Sequence, residues 1–114
     1  MSFCLVIPAD GHTYTETLPN DLHDRFEAMY EVIGRDCHLV ELLPLSDQFL
    51  MWLDEEGLHR PQPNSPATML AQRFGWVSQT YHGTAIITGP ELPTGLADLS
   101  KEQVALLLDL MARA

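Results

Sequence analysis

Positive charge is scarce in this sequence. Six lysine and arginine residues stand against sixteen carboxylates in 114 residues, a formal charge of −10 and a pI near 4.6. A protein that grips nucleic acid by neutralising phosphates needs a basic stripe, and so few cations do not supply one. Adhesion to anionic membranes is excluded on the same ground. Long apolar runs are missing too: none nears the roughly 18 residues of a membrane span. The opening Met1-Ser2-Phe3-Cys4-Leu5-Val6-Ile7-Pro8 is too short and uncharged to read as a signal peptide. Only two cysteines occur, Cys4 and Cys37, each inside an apolar stretch. Two thiols are no disulfide framework, and in a reducing compartment they read as small buried hydrophobes. A bridge between them would require neighbouring strands.

What is present is apolar: 46% of residues, with 19% charged, which is too much for a disordered acidic tail. A chain of this length has room for one domain, residues 1–114. The expectation is a soluble, cytoplasmic globular protein.

Phe3–Ile7 is a short apolar run closed by Pro8, the form of a buried strand. The Asp10-Gly11 turn and the β-rich Thr13–Thr17 complete a hairpin. Pro19-Asn20-Asp21 opens a helix whose apolar face is Leu22, Phe26, Met29, Tyr30 and Ile33, and Gly34 stops it. Cys37–Leu43 and Gln48–Leu53 read as strands, the latter with Phe49, Met51 and Leu53 on one face and Leu50 and Trp52 on the other. Asp54-Glu55-Glu56-Gly57 is a turn, followed by a brief return at Leu58-His59-Arg60. Ser65 caps a helix with Pro66 in its first position, burying Met69, Leu70 and Phe74. Trp76–Tyr81 is strand or loop, Gly83–Gly89 a glycine-bounded strand, and Pro90–Gly95 a loop. Ser100-Lys101-Glu102-Gln103 is a capping box with Leu99 and Val104 placed as a hydrophobic staple. Val104, Leu107, Leu108 and Met111 form the buried stripe of the last helix. Leu106 and Leu110 lie off that stripe and would suit a homodimer contact. The order predicts an α+β fold, one mostly antiparallel sheet of four to five strands packed with about three helices.

By the glycine-bounded strand the chain resembles the family catalogued as domain of unknown function 3846, small proteins of phages, plasmids and their bacterial hosts. The matching pieces are Leu5-Val6-Ile7, Val32-Ile33-Gly34, Leu53-Asp54-Glu55-Glu56-Gly57, Pro63-Asn64 with Ala67-Thr68, His82–Gly89 and Leu99–Val104. The family's helix commonly ends in paired glycines, where this chain has Gly34-Arg35. The resemblance implies a cytoplasmic accessory protein of mobile-element type and no particular activity.

Motifs for chemistry are few. The five histidines, His12, His23, His38, His59 and His82, include no pair at helical ligand spacing, and there is no Cys-x-x-Cys, so no metal or cofactor is expected. No nucleophile elbow or Walker loop occurs, and Asp54-Glu55-Glu56 before a glycine has the composition of a solvated turn. A small hydrolase with an unrecognised site is the least favoured reading.

Charge is unevenly distributed. Residues 1–60 hold twelve acids and three arginines, a net of −9, whereas residues 61–114 hold four acids and three cations, a net of −1. Pro61–Pro90 contains no carboxylate. Two expectations follow for a non-enzymatic binding protein. The first is an anionic small molecule such as a nucleotide: Arg60, Arg73 or His82 would meet phosphate, Trp76 or Tyr81 would stack on a base, and Asn64 or Thr68 would give directional hydrogen bonds. Against it, Trp76 and Tyr81 simply complete the core. The second is docking of the acidic half on a basic host protein.

Overall fold

The computed structural model describes residues 2–10, 12–34, 40–54 and 62–112. Its order is β1 (Ser2–Ile7), β2 (Tyr14–Leu18), α1 (Leu22–Ile33), β3 (Val40–Pro44), β4 (Leu50–Asp54), α2 (Ser65–Arg73), β5 (Ala85–Thr88), β6 (Glu91–Leu92), β7 (Gly95–Leu96) and α3 (Lys101–Ala112). Five strands form one sheet in the order β2-β1-β5-β4-β3, every pair antiparallel, and β6 with β7 makes a separate small hairpin. The fold is α+β, as expected.

Side-chain alternation divides the interior into two layers. Leu5, Ile7, Met51, Leu53, Ala85 and Ile87 point to one side of the sheet, where Ala67, Leu70 and Ala71 of α2 and Leu107 of α3 close over them. Cys4, Val6, Trp52 and Ile86 point to the other side and meet Met29, Phe26, Val32 and Ile33 of α1. Central strands therefore have both faces buried, which is why β1, β4 and β5 read as continuous apolar runs. The facing assigned to Met51, Leu53, Leu50 and Trp52 is the one observed. Trp52 stands edge-on to Phe26 at 6.0 Å between centroids, and its indole N–H donates to Thr88 Oγ1 at 2.8 Å.

Asp21 caps α1 through the Asp24 N–H, and Gly34 ends it at φ +143°, a conformation that favours glycine, with its N–H on Tyr30 O. Ser100 and Gln103 form the reciprocal capping box, Gln103 N–H to Ser100 Oγ at 3.0 Å and Ser100 N–H to Gln103 Oε1 at 2.8 Å.

Several expectations are corrected. Leu22 is 59% exposed, and Arg25 is buried on the inner face of α1 in its place. The reason is the β6–β7 hairpin, which packs over that end of α1 and brings Glu91 to 3.8 Å from Arg25 Nη2. The hairpin itself replaces the loop expected at Pro90–Gly95. Ser65 does not cap α2; Asn64 does, its Oδ1 accepting from the Ala67 N–H at 3.0 Å, so Ser65 is the first helical residue. Met69 is half-buried, and the smaller Ala67 and Ala71 face the sheet beside Leu70 because α2 packs closely there. On α3, Val104, Leu107 and Met111 of the expected stripe pack in the core, but Leu108 is exposed and Leu110 packs there in its place. Leu106 and Leu108 stand about 160° apart at 100° per residue, on opposite flanks, so no single helix contact would cover both. Cys37, the Glu55-Glu56-Gly57 turn and the Leu58-His59-Arg60 return lie outside the described residues.

Candidate functional site

The carboxylate-free stretch folds into α2, the irregular segment 74–84 and β5, and it places the predicted ligand-binding residues in two groups. Asn64, Thr68, Tyr81 and His82 gather where the chain enters α2 and β5. Asn64 is fully buried; its side-chain amide donates to Ile7 O at 2.8 Å and Gly83 O at 2.7 Å while its Oδ1 caps the helix. Its backbone N–H donates to Tyr81 O and its carbonyl accepts from Thr68 N–H. Thr68 Oγ1 accepts from Tyr81 N–H at 2.8 Å. Both amide hydrogens of Asn64 are thus engaged internally, and these side chains tie β1, α2 and β5 together.

Tyr81 belongs to the core layer under α2. Burial pushes its hydroxyl pKa up, and the negative charge of Glu41 on β3 adds to the shift. His82 is half-buried, with its backbone bridged to Pro63 and Nε2 at 3.2 Å from Thr80 Oγ1.

Arg73 and Trp76 are at the far end of α2. Arg73 is exposed in the last turn and engaged with another residue; Trp76 is 36% exposed and its indole N–H donates to Pro44 O at 3.0 Å, strapping the segment to the end of β3. A nine-residue helix separates the groups by roughly 13 Å. Arg60 lies outside the described residues. Beside the first turns of α2 there is a depression of about 180 Å³ lined by Pro63, Ser65, Thr68, Met69, Gln72 and Thr80, which contains only Thr68 of the predicted set.

A larger groove lies elsewhere, where α3 begins. It measures about 370 Å³ and is lined by Phe3 of β1, Thr15 of β2, and Leu99, Ser100, Lys101 and Val104. That size falls in the range of small-molecule sites. Leu99 and Val104, the expected staple pair, form one wall. The opposite wall is Phe3, 52% exposed. Phe3 N–H donates to Asp98 Oδ1 at 2.7 Å and its carbonyl accepts from Leu99 N–H at 3.3 Å, which sets the start of α3 over β1. Lys101 is exposed and, among the described residues, in no ion pair. It lies in the first turn of a helix, where the macrodipole is positive. No sequence signal marked this site: its walls come from the two ends of the chain.

Metal-ligating side chains converge once among the described residues. His23, Asp24 and Glu27 bring ligand atoms within 4.8 Å of one another, His23 Nε2 lying 3.1 Å from Glu27 Oε1. All three are exposed on the first turns of α1, where the helix dipole opposes a cation. The reading of the histidines in pairs missed the group because its other members are carboxylates.

The match to known families decides the chain's kinship: the model of domain of unknown function 3846 (DUF3846) covers residues 1–112. The chain belongs to this family. Among curated proteins and among solved structures, none matches it. The DUF3846 chain has no helix, among its described residues, that is long and apolar enough to cross a membrane.

Proposed function

We propose that this DUF3846 protein is a binding module without catalytic chemistry of its own, a cytoplasmic accessory protein of phage or plasmid type. Its ligand is a small anionic molecule with an apolar body, of which a nucleotide is one case. The observation that carries this reading is Lys101. Its ammonium, unpaired among the described residues of a chain with net charge −10, lines a groove whose remaining walls are chiefly Phe3, Leu99 and Val104. An apolar body would cover Phe3 while the anion meets Lys101. The Asn64–Thr68–Tyr81 knot then supports the fold, and the anion site expected beside α2 moves to the start of α3.

Titration of N-acetyl-leucine, indole acetate and nucleoside monophosphates, followed by calorimetry and amide NMR, tests the reading. Binding should perturb Phe3, Thr15 and Val104, weaken at least about tenfold in Lys101→Met, and survive in Lys101→Arg. Added salt should weaken it, since the ammonium is exposed. If no member of the panel binds below the millimolar range, the reading is wrong.

A further inference from the structure

The described sheet ends on two edge strands, β2 and β3. β3 carries Pro44, a residue type that blunts an edge. β2, Tyr14-Thr15-Glu16-Thr17-Leu18, has no proline, no lysine and no bulge; its register with β1 is unbroken from Ser2↔Leu18 to Val6↔Tyr14. Phe3 turns its N–H and carbonyl toward Asp98 and Leu99, away from β2. Backbone groups alternate sides along an antiparallel strand. Cys4 and Val6 therefore bond with Glu16 and Tyr14, and Thr15 and Thr17 turn their N–H and carbonyl groups outward. Among the described residues the Thr17 N–H accordingly meets only the neighbouring Glu16 carboxylate, at 3.3 Å. The side chains of Thr15 and Thr17 stand on the same side of the sheet as Phe3, and Thr15 lines the groove. An open row of backbone donors and acceptors thus runs beside an apolar groove that holds an ammonium.

We propose that the groove's ligand is the C-terminal end of a basic partner protein, bound as an extended strand added to β2. Its terminal carboxylate meets Lys101, its last apolar side chain enters the groove against Phe3 and Val104, and a basic side chain on the opposite side of the strand faces Glu16. This rests on the anionic-ligand reading above and names the source of the ligand. Strand addition draws affinity from main-chain hydrogen bonds and specificity from alternate side chains. Charge selects the occupant. A second copy would set another −10 chain, with its own Glu16, against this edge, whereas a basic segment is attracted to it.

The test uses an octapeptide of alternating lysine and valine that ends in leucine with a free carboxylate. Its C-terminal amide, a backbone N-methylated version and N-acetyl-leucine serve as comparisons. The free-acid peptide should bind at least about tenfold tighter than the amide, and Lys101→Met should erase that difference. The Thr15 and Thr17 amides should move downfield and exchange more slowly with solvent, and N-methylation of the peptide should abolish both effects. Thr17→Pro, which removes an outward N–H and leaves the β1 ladder intact, should lose the peptide and keep N-acetyl-leucine. If N-acetyl-leucine binds through Lys101 but the peptide binds no tighter, or the two threonine amides stay unmoved, strand addition is refuted and the small-anion reading stands. A peptide-free dimer with those amides already protected would give the edge to a second copy and overturn the proposal. Binding of neither probe would remove the underlying reading as well.

Discussion

Cys4 is buried between β1 and α1, and burial, aided by the negative charge of Glu16, raises its thiol from the ordinary 9.0 to about 12. A group with a raised folded pKa contributes fully below its unfolded pKa and loses that contribution as pH rises toward the folded value. Between pH 9 and 12 the folded chain keeps a proton that the unfolded chain has released. Stability should therefore fall there by up to about 1.4 kcal/mol per pH unit, and Cys4→Ala should remove that share of the slope in urea titrations. In a Cys37→Ser background Cys4 should react with thiol reagents only as fast as the protein opens. Arg25 is a further buried ionisable group on this face, besides Asp54. It is 3% exposed, its nearest carboxylate is Glu91 at 3.8 Å, and its Nε finds no hydrogen-bond partner among the described residues. A buried guanidinium whose carboxylate partner is more than half exposed and so loosely placed recovers little of its desolvation cost. Arg25→Met should leave the melting temperature unchanged or raise it, whereas Glu91→Gln, which strands the cation, should lower it. A fall with Arg25→Met comparable to that of Glu91→Gln would mean that the pair is net stabilising. The burial of Cys4 was legible in its apolar run; that of Arg25 was not, because a charged side chain in the first turns of a helix gives no sign that a distant hairpin will cover it.

Elements were legible where their ends carry local chemistry. Asp21 and Gly34 bound α1, the Ser100–Gln103 box opens α3, and the glycine-bounded run contains β5, each set by hydrogen bonds or backbone conformations within a few residues. The reading slipped by one residue at α2 because Asn64 and Ser65 are both good caps; the choice of Asn64 comes from Ile7 and Gly83, whose carbonyls take its amide hydrogens. The β6–β7 hairpin was hidden by its length, two residues in each strand. It depends on Gly95, whose φ is +135° and where a Cβ would stand 2.8 Å from Asn20 Oδ1. Gly95→Ala should cost about 1–3 kcal/mol and free the hairpin to exchange, which hydrogen exchange of Leu96 and Ala97 would register. Unchanged protection there would show that Asn20 and the turn adjust without loss.

At the scale of the molecule, carboxylates outnumber cations by ten, so the native state works against self-repulsion. Raising ionic strength from low to physiological values should increase the melting temperature by several degrees. A fall on adding salt would mean that specific ion pairs outweigh the net charge. Three layers, α1 on one face of the sheet and α2 with α3 on the other, leave uncovered the stretch over Phe3 and Thr15.

Composition and local spacing already determined an acidic single α+β domain, most of its elements and the facing of β4, because charge sums over residues and helix or strand periodicity is written within a few positions. Strand order, the burial of Arg25 and the place of the groove were decided only by tertiary structure. Phe3 and Lys101 stand near opposite ends of the chain and meet because segment 97–99 returns beside β1. The carboxylate-free stretch looked receptive for its composition alone, and folding spent the amide hydrogens of Asn64 on the chain's own carbonyls. A polar group's availability depends on which backbone groups folding leaves unpaired beside it, and that is a property of long-range contacts.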